Sequence, residues 1–396
     1  MSGRPMSPWW TVFVKEVREN LRDRRAVGTA LLYGPLFGPL LFALMATFIV
    51  GKRTEAAERP LSIAVIGSER APNLLGFLQQ RGVVIRAAPQ DPEAAIRDQQ
   101  EEVVLRIPAG YQARWLSGEP ARVELLLDSS RQAAQLTVSR LEQLLDAYAQ
   151  QTSKLRLLMR GLDPQLATPL SIARSDQSTA RSRGANFLAL LPYFLLLCAF
   201  LGGMYLAIDS TAGERERQSL EPLMITPVAP AQIMAGKLAA TTVFAVASVI
   251  TCIVAFHFAV QMIPTADLGF ELNLTAKVAV QMLVLLVPVA LFAAAVQTVI
   301  SSFARSFREA QTYLQFLMII PAIPSVVLVV SPVKPVLWML LTPLLSQSLL
   351  INELARGDQP SLADLMACVI GTVIAALLVS ALAIRLYGRE QLALST

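Results

Sequence analysis

The sequence predicts a mainly α-helical membrane protein. It has six transmembrane helices, a small α/β extracytoplasmic domain inserted between helices 1 and 2, and a re-entrant or interfacial helical segment before helix 6. Three observations carry this. The 396 residues are 54% hydrophobic and 16% charged, well under the roughly 25% charged of a soluble domain. The charges sit in blocks separated by long uncharged runs. Lys and Arg also fall on alternate connections between those runs, the bias expected of inward-facing loops.

Residues 1–25 read as a cytoplasmic amphipathic helix. Trp9, Val12, Phe13, Val17 and Leu21 recur at helical spacing, interleaved with Lys15, Glu16, Arg18, Glu19 and Arg22. Such a helix lies in the inner interface with its tryptophans at headgroup level. The charged leader is too long, and the apolar stretch behind it too extended, for a cleaved signal peptide, so the stretch reads as a retained anchor.

Crossing the hydrocarbon takes roughly 20 apolar residues. Six uncharged runs qualify: Ala26–Gly51, Gly184–Ile208, Leu238–Ala266, Val278–Ala304, Ala310–Val333 and Leu365–Ile384. The spans are drawn at 26–51, 184–208, 238–263, 278–304, 310–333 and 365–386, with 387–396 as a cytoplasmic tail. A seventh run, Pro335–Asn352, is shorter and carries Pro335 and Pro343. Charge placement decides its fate. With the N-terminus inside and six crossings, thirteen basic residues face the cytoplasm: Arg4, Lys15, Arg18, Arg22, Arg24, Arg25, Arg215, Arg217, Lys237, Arg305, Arg308, Arg385 and Arg389. The short outer loops hold three, Lys277, Lys334 and Arg356. A seventh crossing would put Arg385 and Arg389 outside. Residues 335–352 therefore dip in and return, or lie at the outer interface, buried against protein.

Between the first two spans, residues 52–183 carry 18 Lys/Arg and 15 Asp/Glu, a mixed-charge solvated body. Leu61–Gly67, Val83–Ala88, Val103–Pro108 and Val123–Asp128 read as strands. Asn73–Arg81, Pro92–Gln100 and Ala133–Met159 read as helices, the last with Leu136, Leu141, Leu144, Leu145, Tyr148 and Leu155 at helical spacing. Strands alternating with helices predict a small α/β domain. As a rigid spacer it needs no ligand of its own.

The chain lacks the residues of most chemistries. It has no GxxxxGK[ST], HExxH or GxSxG sequence, and Gly236-Lys237-Leu238 lacks the hydroxyl and the leading glycine of a phosphate loop. Cys198, Cys252 and Cys368 all lie in apolar runs and read as small buried hydrophobes. His257, the single histidine, sits between Phe256 and Phe258 in the third span with no carboxylate partner evident in sequence. No Asp, Glu, Lys or Arg lies within the six runs, whereas ion-coupled transporters carry such groups at depth. The formal net charge of +5 belongs to the membrane's inner face, not to nucleic acid. Pro35, Pro39, Pro192, Pro288, Pro321 and Pro324 interrupt backbone pairing within spans. Energy for any transport would have to come from a partner.

Such a partner would dock at the inner loop 209–237, DSTAGERERQSLEPLMITPVAPAQIMAGK. Glu214, Arg215, Glu216 and Arg217 form a dense charged turn. Leu220, Leu223, Met224 and Ile225 are apolar residues where water would otherwise reach, and apolar side chains rimmed by charge mark a binding surface. An interfacial helix gripping lipid is the simpler alternative. Pro227 and Pro230 are expected to end the element before the third span.

This loop resembles the signature of type-2 ABC exporter permeases, in particular the NatB-like sodium-efflux group. The positions that match are Glu214, Arg215, Glu216, Leu220, Glu221, Leu223, Thr226, Pro227, Gly236 and Lys237. The leader KEVRENLRDRRAV is similar to the family's start, through Lys15, Glu16, Arg18, Glu19 and Arg22 to Arg25. Two further matches are LRIPAGY followed by LSGEPARVELLLDSS (Leu105–Tyr111 and Leu116–Ser130), and the tail RLYGREQLAL. Four matches in order touch most of the chain.

The resemblance implies a permease that pairs with a second copy or a related chain and docks two cytosolic ATPase subunits. ATP and magnesium would be held on those subunits and no cofactor in this chain. Residues 209–237, with Arg217 among them, would act as the coupling helix. Short re-entrant helices would precede the last span. Sodium efflux is the transport that the group's name implies, but the spans offer hydroxyls and amides (Thr298, Ser301, Ser302, Thr312, Gln315) and no carboxylate, so hydrophobic or lipid-like substrates stand equally open. The location implied is the inner, plasma membrane with both termini cytoplasmic. The competing reading is a membrane receptor or scaffold whose α/β domain binds a ligand or envelope partner. An intramembrane enzyme has little support, because the spans lack acids, bases and metal ligands.

Overall fold

The computed structural model describes residues 7–58, 60–128, 132–167, 188–219, 227–263, 274–330, 333 and 335–394. The chain divides into two compact units, Gly51–Asp176 and the remainder.

In the larger unit six helices are long and apolar enough to cross a membrane: Gly28–Ile49, Leu191–Glu216, Pro230–Gln261, Ala276–Phe303, Phe307–Val330 and Leu362–Gly388. The chain is therefore a multi-pass membrane protein. Spans two, three and four are its centre, with 67%, 50% and 56% of their apolar windows buried, against 22% and 28% for the first and fifth. Their contact is a shared core of Leu195, Leu196 and Phe200 with Val249, Cys252 and Phe256 and with Met282, Leu285, Leu286 and Val289. Spans two and three approach closely because span two presents Gly202 and Gly203. A Cβ at Gly202 would lie 2.9 Å from the Ala245 Cα, and one at Gly203 2.8 Å from the Thr241 Cγ2. In a bilayer, where lipid is as apolar as a leucine, such close backbone approach is a main source of helix association.

Several boundaries differ from those the sequence predicts, each for a local reason. Pro230 starts the third helix instead of ending the segment before it: with Ala229 extended (ψ 135°), proline takes the first-turn position, where its fixed φ fits and its missing N–H is not needed. The helix Pro230–Gln261 is then 32 residues long, and Gly236 and Lys237 sit on its second turn. At its other end the second span runs on through a wide π turn, Asp209–Gly213, into Glu214–Glu216. The fifth span is broken into Phe307–Leu317 and Ala322–Val330. Pro321 lacks an N–H and disfavours helical geometry before it, and the intervening turn closes with i→i+3 bonds such as Ile320 N to Leu317 O at 3.1 Å. The last helix, Leu362–Leu394, continues through what reads as a tail. Residues 335–352 form two short helices, Leu337–Leu341 and Leu345–Arg356, the second closed by Gly357 at φ 83°. Ahead of the spans, Pro8–Arg22 is the amphipathic helix, packed on the third span through Val12 against Ile233 and Leu238, and through Phe13 and Val17 near Ala240 and Phe244.

The smaller unit holds a four-stranded sheet of β1 (Ser62–Ile66), β2 (Val84–Ala87), β3 (Val103–Arg106) and β4 (Glu124–Leu127), in the order β2-β1-β3-β4. β1 is parallel to β2 and β3, and β4 is antiparallel to β3. Alternation sorts the side chains by face. Ile63, Val65, Val103 and Leu105 pack on Leu74, Leu78, Tyr111 and Leu141, while Ala64 and Val104 pack on Ile96. Both faces of the central strands are covered, which is why they read as unbroken apolar runs. Trp115 stacks between Tyr111 and Tyr148 at 5.8 and 5.6 Å, with the Arg156 guanidinium 4.5 Å over its ring. Burial pushes the Tyr111 hydroxyl up to about 12, so it stays protonated at any physiological pH.

A Gly202→Val substitution overpacks the joint between spans two and three. Thermal unfolding of the purified chain in detergent should show a loss of about 1–3 kcal/mol, while Gly76→Ala, mid-helix with open space around it, should lose nothing and gain up to about 1 kcal/mol.

Candidate functional site

One set of ends of spans two to five meets at the charged turn after span two. The turn's residues point mostly inward. Lys237 is 1% exposed and Glu214 6%, and the two form a salt bridge. The Lys237 ammonium also donates to the Ser210 carbonyl at 2.8 Å and lies 5.4 Å from the centre of the Tyr387 ring on the last helix. The π turn Asp209–Gly213 presents that carbonyl; such wide turns set a backbone group apart from the helical ladder. Lys237 thus joins the end of span two, the start of span three and the end of span six.

The neighbouring charges extend the tie. Arg215 donates to the Ser302 and Ala304 carbonyls at 2.8 and 3.0 Å, the orphan acceptors at the C-terminal end of span four, where a cation also complements the helix dipole. Glu216 accepts from the Phe307 N–H at 2.7 Å, the first turn of span five, where a carboxylate is favoured. Ser306 and Glu309 complete that cap: the Ser306 hydroxyl accepts from the Glu309 N–H at 3.3 Å and the Glu309 carboxylate from the Arg305 N–H at 2.7 Å. Arg217 pairs back with Asp209 at 2.9 Å. Tyr205 donates to Asp23 at 2.8 Å, tying the amphipathic segment to span two.

Gly236 explains its own identity. A Cβ there would stand 2.7 Å from the Trp9 carbonyl oxygen and 2.9 Å from the Val12 Cβ. The amphipathic helix therefore rests its backbone directly on the turn that carries Lys237.

Of the residues singled out from sequence, the structure brings Glu214, Arg215, Glu216, Arg217, Gly236 and Lys237 together. Glu214 and Lys237 are interior, so they are not docking side chains; Glu216 and Arg217 keep exposed surface, as does Pro227. Leu220, Glu221, Leu223 and Thr226 lie outside the described residues, as do Met224 and Ile225. Sequence reading missed Asp209, Ser210, Asp23 and Tyr387. The available signal was Lys237 itself, a lone cation inside an apolar helix that must find a counter-charge. His257 is held by the Leu274 carbonyl at 2.9 Å and Gln261 at 3.0 Å, the pattern of a hydrogen-bonded interface residue. Among the described residues no group of three His, Cys, Asp or Glu could hold a metal ion.

Removing one partner of a buried pair strands the other charge. Glu214→Ala should therefore lower folding stability by about 3–5 kcal/mol, read as a lower melting temperature and yield in detergent. Glu214→Leu combined with Lys237→Met should recover most of that loss. Equal damage in single and double variants would show the pair to be incidental.

The chain matches the family model described as "ABC-2 family transporter protein" over residues 35–383. It is 25% identical over 315 residues to the ABC transporter permease protein NatB of Bacillus subtilis (strain 168), covering 78% of this chain and 80% of that protein. It is 23% identical over 237 residues to the probable multidrug ABC transporter permease YbhR of Escherichia coli (strain K12), covering 58% of this chain and 59% of that protein.

Proposed function

We propose an export mechanism for this chain, which belongs to the ABC-2 transporter family and is the transmembrane subunit of an ABC transporter with a cytosolic ATPase partner. The chain is read as an exporter permease in the plasma membrane, with both termini cytoplasmic, the α/β unit on the far side and the 335–356 helices re-entrant there. It works as a dimer. Residues 209–237 receive the push of the ATPase.

The observation that carries the coupling reading is the wiring of one short turn into three further helices. Glu214 holds span three through Lys237, Arg215 holds the end of span four, and Glu216 holds the start of span five. A displacement of the turn has to move those helix ends together, because each tie is a hydrogen bond to a charged group and such bonds are the strong ones. Among the described residues, Glu216, Arg217, Gln218 and Pro227 keep exposed surface for the partner.

Sodium efflux is the cargo this reading favours. Gln297 Oε1, Ser248 Oγ and Ser301 Oγ are buried oxygens without a hydrogen-bond partner on spans three and four, and hard cations take oxygen ligands.

The test is co-purification with the cytosolic ATPase, followed by ATP-driven transport in proteoliposomes loaded with sodium or with a lipophilic drug. Glu216→Ala should leave the complex assembled and ATP hydrolysis within about twofold, yet lower export about tenfold or more, the effect expected for a lost charge-assisted bond. Failure to recover any ATPase subunit would sink the permease reading. Wild-type export by Glu216→Ala would remove the coupling role from this turn, whereas a wild type that exports nothing would favour a receptor that works through its α/β unit. Drug but not sodium export would move the cargo to the class named for the YbhR relatives.

A further inference from the structure

The two short helices Leu337–Leu341 and Leu345–Arg356 reverse direction at Leu344, whose φ of 69° is unusual for a residue with a branched side chain. Side chains hold that reversal at both of its backbone groups. The Leu344 N–H donates to Gln347 Oε1 at 2.7 Å, and the Ser348 hydroxyl donates to the Leu344 carbonyl at 2.8 Å. The Gln347 amide goes on to reach the last span. Its Nε2 donates to Thr372 Oγ1 at 2.7 Å and to Cys368 Sγ at 3.2 Å, while its Oε1 also accepts from the Ser346 hydroxyl at 3.1 Å.

An amide has two donor hydrogens and two acceptor lone pairs. All four of Gln347's are used, at 0% exposure, and Thr372 and Cys368 are equally buried. A second contact seats the same hairpin. A Cβ at Gly371 would lie 2.6 Å from the Leu341 carbonyl oxygen and 2.9 Å from the Leu341 Cα, so hairpin backbone touches span-six backbone one residue away from Thr372.

We propose that Gln347 is a positioning residue for export: its saturated amide pins the 337–356 hairpin onto the last span, and that pin fixes the far end of the transport path. The proposal rests on the permease reading for its role in export, while the pin itself is tested without transport. The geometry makes the pin specific. Thr372 supplies the acceptor that an apolar side chain of the same shape lacks, and a buried amide donor left without its acceptor is destabilising.

The three cysteines report the pin. Cys198, Cys252 and Cys368 are all buried and free, and Cys368 alone touches Gln347. The full chain in its own membranes is exposed to N-ethylmaleimide and the labelling rate of each cysteine is read by peptide mass spectrometry. In Thr372→Val, Cys368 should label about tenfold faster, the effect expected for one lost hydrogen bond, with Cys198 and Cys252 unchanged. Thr372→Ser, which keeps the hydroxyl, should label like the wild type. An unchanged Cys368 rate in Thr372→Val, or a parallel rise at all three cysteines, overturns the pin.

In proteoliposomes with the ATPase, Thr372→Val should export at least about fivefold more slowly and Thr372→Ser normally. Wild-type export with Cys368 unpinned overturns the positioning role. Should no ATPase partner exist, the permease reading falls while the labelling result still decides the pin.

Discussion

A lysine ammonium buried at the foot of a membrane helix must find a counter-charge and hydrogen-bond acceptors within the protein, because neither lipid nor water is there to supply them. Lys237 meets that demand through Glu214, the Ser210 carbonyl and the Tyr387 ring. Meeting it fixes much else. The second span must reach as far as Glu214, the π turn must present Ser210, and the last helix must continue past the hydrophobic core to bring Tyr387 alongside. The long second, third and sixth helices follow from one charge. The burial has a thermodynamic corollary: a pair of well-packed apolar residues would serve stability as well or better, so the pair's value lies in tying three helix ends in one register.

The same economy of polar groups appears at both ends of the helical unit. Near the charged turn, Arg215 and Glu216 answer the unpaired carbonyls and amides that every helix terminus leaves. At the hairpin, Gln347 and Ser348 answer those of Leu344. Bare backbone accompanies each lock: Gly236 lies against the amphipathic helix beside Lys237, and Gly371 against the hairpin beside Thr372. Between the two locks, Gly202 and Gly203 seat span two on span three within a core of larger apolar side chains. The first, fifth and sixth spans bury less of their apolar windows than spans two to four, yet the fifth and sixth are tied at one end through Glu216 and Lys237.

Much of this was legible in the sequence where the signal is long and repetitive. Six apolar runs needed no tertiary information, since hydrocarbon thickness alone sets their length. LSIAVIG reads as a strand because β1 lies in the middle of the sheet and is covered on both faces. Prolines were legible as interruptions but not as to kind: Pro230 opens a helix, Pro321 breaks one, and Pro39 and Pro288 sit inside helices. What decides among these is whether the preceding residue is extended and whether neighbours satisfy the freed carbonyl, neither of which is local. The charged turn was recognisable as a site, but its direction was not. ERER looks like a solvated surface, and only the position of Lys237, 23 residues on, says that Glu214 must turn inward. Gln347 was hidden likewise: a glutamine within LLSQSLLIN reads as a boundary defect until Thr372 and Cys368, some 25 residues later, are seen to saturate it.

That inward turn changes what a partner can recognise. If the whole of GERER were a docking surface, charge reversal anywhere in it would act on affinity. Glu214 is buried against Lys237 and Arg215 is spent on carbonyls of span four, so a partner reaching the described part of the turn meets Glu216, Arg217 and Gln218, which are exposed. Holding the helix ends and facing outward thus fall to distinguishable residues: Glu214 and Arg215 hold, Glu216 both holds and is exposed, and Arg217 and Gln218 are exposed.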